Sequence, residues 1–398
     1  MEHTSVIEQM PCHWHFPTAI LLGIGERQQL PKLCLQNSIQ SPLVVIDPIL
    51  AQLPIFTALI GKIARGGLKL TVFTKISGNP TGQQVMAGVT QFRYHQHDGV
   101  IAIGGGSALD AGKAIALMAG QTQSLWDFED IGDNWEQADA EKIVPVVAVP
   151  TTAGTGSEVG RAAVITDEKV RLKKIIFHPK MLPCQVLLDP ELTLCLPANL
   201  TAATGMDALA HNLEAFCAPG YHPMAAGIAV EATRLIRHYL PRAYENSDDI
   251  EARTHMLVAS CMGATAFQRG LGAMHALAHP MGARYNAHHG LLNAILMPYV
   301  LVANRTKIAC RIEQLAKYIN LPQADFAGFI EWVLSLRDRL GIPHTLDAVG
   351  VTLSDVDALA ELAFKDPSAV TNPILFSVED YATLCTNAVT GTLKFSGR

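Results

Sequence analysis

Residues 99–118 read GVIAIGGGSALDAGKAIALM, and this run decides the architecture of the first half of the chain. Residues 99–103 form a short apolar, partly β-branched run of the kind that makes a buried strand. Gly104, Gly105 and Gly106 follow, and three glycines let a backbone turn tightly and bring its N–H groups close to a ligand. Ser107 stands where a helix N-cap belongs, with Asp110 three residues on as a capping-box partner, and residues 108–118 then read as the helix. A helix N-terminus of this kind attracts phosphate through its free N–H groups and its dipole. It is not a Walker A loop, because no Gly stands five residues before Gly112 and no Ser or Thr follows Lys113.

Working outward, residues 43–47 (LVVID), 68–73 and 146–149 read as further buried strands, each ending in Gly or Pro within a few residues. Helical patterns lie between them. That rhythm predicts βαβ units and a parallel, Rossmann-like sheet with helices on both faces. Two other strand ends fit ligand contact. Asp47 closes the first of these strands, where a carboxylate accepts hydrogen bonds from an adenosine ribose and repels a 2′-phosphate; a simple turn before Pro48 is the alternative. The loop after Val149 reads PTTAGTGSE and offers Thr151, Thr152 and Thr155 among glycines.

After Asp189-Pro190 the texture changes to long Ala-, Leu- and Met-rich stretches with few strand signals. We expect an α/β dinucleotide-binding domain over residues 1–188 and an all-helical domain over 189–398. A chain of 398 residues is long enough for two domains sharing a cleft. Hydrophobic residues at 49% and charged residues at 17% fit a large core and exclude disorder. The net charge of −6 supplies no basic footprint, so nucleic acid is not an expected partner. The first sixteen residues lack the apolar core of a signal peptide, and no uninterrupted apolar run is long enough to span a membrane, so a cytoplasmic protein is expected. Eight scattered Cys with no CxxC pair read as reduced thiols.

The helical half carries the second chemical signal. Asp207 and His211 are four apart in TGMDALAHNLEAF, so on a helix they share one face. His275 and His279 are likewise four apart, and His288 and His289 follow. An Asp and five His for one ion exceed its needs, and such a mixture suits Fe²⁺, Zn²⁺, Mn²⁺ or Co²⁺. A single helical His is usually a core or surface residue. Four of the fifteen His within fifteen residues, flanked by Gly and Ala, favour a metal. His3, His13, His15, His95, His97, His178, His222, His238, His255 and His344 lack partners at ligand spacing.

Taken in order, GGGSALDAGKA, PTTAGTGSEV, LLDPELT, LPANLTAATGMDALAHNLEAF, GLGAMHALAHPMGARYNAHHGLLNAILMPYV, LGIPHTL and KDPSAVTNP give the chain a recognisable pattern. It resembles the iron-containing (group III) alcohol dehydrogenase family over nearly its full length. The resemblance implies a metal-dependent alcohol dehydrogenase or aldehyde reductase acting on a small alcohol or aldehyde. It implies NAD in preference to NADP and one divalent metal, Fe²⁺ before Zn²⁺. A homodimer or larger homo-oligomer is the expected assembly. The implied ligands are Asp207, His211, His275 and His289, with Gly290 setting the register although His288 stands beside it. His279 corresponds to a histidine in the substrate cleft that relays the alcohol proton. The implied cofactor contacts are Asp47, Asn79, Gly104, Gly105, Gly106, Ser107, Asp110, Thr151, Thr152, Thr155 and Lys173. Arg269 departs from the family pattern, and projection into solvent is favoured over reading an anionic substrate. Gly160 stands where the family commonly has Thr.

Two other outcomes are open to this sequence. Hydroxy or sugar acids are alternative substrates for the same chemistry. Relatives of this fold, such as dehydroquinate synthase, use NAD and a metal for cyclisation or lyase chemistry, but they need extra basic residues for a phosphorylated substrate. Only Arg269 and Arg284 lie near the ligand motifs. A non-enzymatic metal protein would have no use for the phosphate cradle.

Overall fold

The computed structural model describes residues 15, 16, 18–76, 78–170 and 172–394. The first sixteen residues, expected to lack a signal peptide, lie almost wholly outside them. Two compact units result, one spanning Pro17–Leu196 and the other beginning at Pro197. Asp189 belongs with the first unit, since its carboxylate accepts from the backbone N–H groups of Gly25 and Arg27 and pairs with the Arg27 guanidinium.

The first unit is built on a six-stranded, wholly parallel sheet in the order β1-β8-β5-β4-β2-β3. The strands are β1 (Ala19–Leu22), β2 (Pro42–Ile46), β3 (Thr71–Phe73), β4 (Gly99–Gly104), β5 (Val146–Pro150) and β8 (Gln185–Leu188). Between β5 and β8 the chain forms an antiparallel pair, β6 (Ala162–Asp167) and β7 (Leu172–Phe177). Helices α1 (Leu30–Gln36), α2 (Pro54–Arg65), α3 (Gly82–Tyr94) and α4 (Gly106–Met118) connect the parallel strands. β2, β4 and β5 are buried along their whole length, which is why they read as unbroken apolar runs and not as alternations. One core cluster joins Val44, Ile46, Ile101, Ile103, Val147 and Val149 to Leu30, Phe56 and Ile63 on the covering helices.

Register aligns the functional loops. Ile46 lies beside Ile103, and Gly104 beside Pro150. Asp47, Gly105 and Thr151 therefore leave three adjacent parallel strands at the same level, on their carboxyl ends. In open α/β sheets this is the edge at which ligands bind.

The second unit is all helical. Its elements are α5 (Ala198–Cys217), α6 (Pro223–Glu245), α7 (Ile250–Ala266), α8 (Ala273–Tyr285), α9 (His289–Ala303), α10 (Arg305–Tyr318), α11 (Phe326–Arg339), α12 (Val356–Phe364) and α13 (Val378–Thr390). α5 is buried on every face from Thr201 to Cys217, packed against α6, α7 and α9. A helix apolar all round belongs at the centre of a bundle, and polar groups on it need partners. Among the described residues no helix is long and apolar enough to cross a membrane. The described cysteines are all free thiols.

Candidate metal centre and cofactor cradle

α5 carries Asp207, His211 and Glu214 at i, i+4 and i+7, on one face. α8 brings His275 and His279, and α9 opens with His289. One potential ligand atom each from Asp207, His211, His275 and His289 falls within 4.8 Å of all the others. The rings pack face to face or tilted: His211 and His275 have centroids 4.8 Å apart, and His275 and His289 5.2 Å. His289 Nε2 stands 3.8 Å from Asp207 Oδ1. His288, by contrast, is exposed and occupies the N-cap position of α9. Gly290 explains how α9 reaches the cluster, for a Cβ there would lie 2.3 Å from the Ala203 carbonyl and 2.9 Å from Asp207 Cβ. Only glycine lets the first turn of α9 rest on α5 beside the acid.

Glu214, which the sequence reading did not single out, ties this site together. Its Oε2 accepts from the Gly272 N–H at 2.8 Å and lies 2.6 Å from His275 Nδ1, while Oε1 accepts from the Met274 N–H at 2.7 Å. The carboxylate thus caps α8 from another helix, at the end where the dipole favours a negative charge. With Glu214 ionised, His275 carries its proton on Nδ1 and presents the Nε2 lone pair to the cluster. Burial disfavours a charge on His275, but the Glu214 carboxylate, together with Asp207 and Asp366, offsets that, and the His275 pKa is raised.

The residue set fits a divalent cation. Two buried carboxylates, Asp207 and Glu214, have imidazoles as their only ion-pair partners; no Lys or Arg pairs with either among the described residues. Buried negative charge of that kind calls for a positive one. One acid with three imidazoles is a donor set for a borderline metal.

His279 lies beside the cluster, its ring stacked at 5.4 Å and 10° on His289. Its Nδ1 is 2.8 Å from Asp366 Oδ2, and Asp366 is itself fixed by accepting from the Ser368 N–H at 2.8 Å. Asp366 was also missed by sequence reading. It lies 87 positions from His279 and has no local signal beyond its place in KDPSAVTNP.

Arg269 does not project freely into solvent. It is half-buried and donates to the Phe216 and Gly220 carbonyls at 3.1 and 3.0 Å, beside Arg311, which donates to Phe216 and Ala218. The two cations sit at the C-terminal end of α5, where the helix dipole favours them. Burial first, and Arg311 second, lower the Arg269 pKa to about 10.

In the α/β unit, the expected cap at Ser107 is corrected. Gly105 is the N-cap of α4 and offers no side chain, and Ser107 sits inside the helix donating to the Gly78 carbonyl at 2.6 Å. That bond pins the loop containing Asn79 against the cradle. Gly104 has φ +147°, a left-handed backbone that a side chain would strain, and a Cβ there would meet Ala108 at 2.7 Å. Thr152 and Thr155 lie over the cradle, their Oγ1 atoms 3.1 and 3.0 Å from where Cβ atoms on Gly105 and Gly106 would stand. The Thr151 N–H donates to the Gly104 carbonyl at 3.0 Å. Asp47 Oδ1 accepts from the Ile49 and Leu50 N–H groups, so part of its carboxylate serves the turn. Asp110 is engaged more fully: it accepts from Ser157 Oγ at 2.5 Å and Val164 N–H at 2.9 Å, and pairs with Lys113 at 3.2 Å. Lys173 lies on β7 opposite Thr166, whose N–H donates to the Pro80 carbonyl beside Asn79.

A parallel sheet with glycine and threonine at its ligand edge, and a helical unit with an acid and three imidazoles, suit a metal-dependent dehydrogenase. Residues 17–190 match the family model for iron-containing alcohol dehydrogenase, and residues 201–389 match that for the C-terminal part of the same family. The NAD-dependent methanol dehydrogenase of Bacillus methanolicus is 35% identical over 385 residues, covering 95% of this chain and 100% of the relative. The 4-hydroxybutyrate dehydrogenase of Cupriavidus necator is 38% identical over 377 residues, 92% of this chain and 97% of the relative. A crystal structure of a 1,3-propanediol oxidoreductase matches with a TM-score of 0.90 at 31% identity, covering 94% of this chain and 99% of the other. The chain belongs to the iron-containing alcohol dehydrogenase family. The cyclase–lyase alternative is not favoured.

Proposed function

We propose that the chain transfers hydride between NAD(H) and a small alcohol or aldehyde, using one divalent ion held by Asp207, His211, His275 and His289. Fe²⁺ is the first candidate and Zn²⁺ the second. The observation that carries the proposal is the convergence of those four side chains, with the Glu214 carboxylate behind His275. When bound, such an ion supplies a Lewis acid that acidifies an alcohol and polarises an aldehyde carbonyl.

The protein's own residues would do the rest. Glu214 keeps the His275 proton on Nδ1, so that Nε2 stays a ligand. Asp366 accepts from His279 Nδ1 and so leaves His279 Nε2 as the atom that takes the alcohol proton during oxidation and returns it during reduction. The backbone of Gly104, Gly105 and Gly106, with Ser107, would receive the dinucleotide's phosphates at the start of α4. Thr151, Thr152, Thr155, Asn79 and Lys173 would contact the same cofactor. Asp47 would favour NAD over NADP through the ribose, since its carboxylate repels a 2′-phosphate. We assign Asp110 to bracing the cradle, because β6, Ser157 and Lys113 already engage its carboxylate.

The test is NADH consumption with a panel of short aldehydes and ω-hydroxy aldehydes, using metal-free protein with and without added Fe²⁺ or Zn²⁺. Turnover that requires the ion and prefers NADH to NADPH is the expected outcome. Turnover indifferent to added metal, or reduction with NADPH alone, would count against the proposal.

A further inference from the structure

One more buried side chain meets the metal cluster. Asn293 lies one helical turn beyond His289 on α9 and is fully buried. Its Nδ2 stands 2.8 Å from Asp207 Oδ1, 3.2 Å from His275 Nε2 and 3.2 Å from His289 Nε2. Its Oδ1 is buried with no hydrogen-bond partner among the described residues. The amide therefore turns its donor end toward three of the four ligand residues and leaves its acceptor end unmet.

That orientation has a chemical reason. An amide nitrogen carries two hydrogens and cannot serve three acceptors, so the shortest contact, to the charged carboxylate, takes precedence. The reverse orientation would set the amide oxygen against a carboxylate and two imidazole lone pairs. An unmet buried acceptor is unfavourable, so the bond to Asp207 must outweigh it. Asp207 has no other side-chain hydrogen-bond donor among the described residues at this distance. Its carboxylate would otherwise rotate about the Cβ–Cγ bond.

We propose that Asn293 is a positioning residue for the metal centre, holding the Asp207 carboxylate in the orientation that coordinates the ion. The inference rests on the reading of Asp207, His211, His275 and His289 as ligands, and goes beyond it by assigning the residue that pre-orients the only charged one. A residue that merely filled space there would be replaceable by an apolar group of the same volume; Asn293 is not, because its donor is what acts.

The test uses the full chain, stripped of metal and refilled with Co²⁺, whose visible bands report ligand geometry. Co²⁺ affinity is measured by competition with a chelator, for wild type and for Asn293→Leu, which keeps the volume and removes the donor. Asn293→Ala supplies the same two measurements should the Leu variant fail to fold. The expected result is an affinity weakened by about 10–100-fold, the usual cost of removing an outer-shell partner, together with shifted bands at saturating Co²⁺. Unchanged affinity, or bands superimposable on those of wild type, would overturn the inference while leaving the ligand assignment standing. A wild type that takes up no Co²⁺ would overturn both.

Discussion

The two ends of the chemistry are made of different material. The cradle in the α/β unit is backbone: Gly104, Gly105 and Gly106 turn the chain from the end of β4 into α4, and Thr152 and Thr155 of the neighbouring loop lie against Gly105 and Gly106. The centre in the helical unit is side chain. Asp207, His211, His275 and His289 come from three helices, and a buried partner outside the four, Glu214, meets His275. A backbone site is preorganised once its strands pair and its glycines turn. A side-chain site is preorganised only when buried partners remove rotational freedom, as Glu214 does for His275 and Asp366 for His279. Added bulk at Gly105 or Gly106 would disturb the first, and loss of a partner's charge or donor the second.

Breaking the side-chain end gives the largest effect. His279→Ala should lower turnover by about 10²–10⁴-fold, the range for losing a general acid–base group, while bound metal per chain stays as in wild type. Metal analysis alongside steady-state rates checks this, and loss of the ion would make His279 a ligand. Glu214→Gln keeps size but not charge, and should weaken metal binding by about 10–100-fold, read by chelator competition. At the backbone end, Gly106→Val should raise the dissociation constant for NADH by at least about tenfold, since a lost contact of 1.4 kcal/mol already gives that factor. A Cβ there would stand 2.7 Å from Thr155 Cγ2. Fluorescence titration with NADH reads that affinity, and metal analysis should find metal content untouched in this variant. If it changed, the two ends would not be separable in the way described.

A separate effect, on stability and not on the site, concerns Glu158, which follows the threonine loop. It is buried, and burial, opposed by a backbone hydrogen bond and the Lys113 charge, raises its pKa to about 7. An acid whose folded pKa lies above the ordinary 4.5 stabilises the fold below that pH and loses the contribution as pH rises through about 7. Glu158→Gln should therefore flatten the fall in stability between those values and gain on the order of 1–3 kcal/mol over wild type at pH 8. Urea unfolding across that range measures it, and an unchanged slope would contradict it.

The same contrast governs what the sequence made legible. β2, β4 and β5 are sheathed on both faces, so their apolar runs stand out, and the glycines between β4 and α4 mark the cradle directly. β1 is a short edge strand with mostly exposed residues, and β6 alternates half-buried with buried positions in a local antiparallel pair, so neither gave a strong run. Ser107 misled because cap preference is local, whereas its hydroxyl is drawn to Gly78, 29 positions away. In the helical unit the four-residue spacings of Asp207–His211 and His275–His279 predicted shared faces correctly. Glu214 carried a faint signal, three residues after His211 on the same face. Asp366 carried none, because a lone acid after a helix looks like any cap until the fold sets His279 against it.

Whether one ion on Asp207, His211, His275 and His289 makes this chain a dehydrogenase is read by titrating metal-free protein with Fe²⁺ under argon and following NADH-dependent aldehyde reduction. Activity should rise linearly and break at one ion per chain, with Asp207→Ala showing neither tight binding nor recovery. Full activity before any ion is added, or recovery in Asp207→Ala equal to that of wild type, would contradict it.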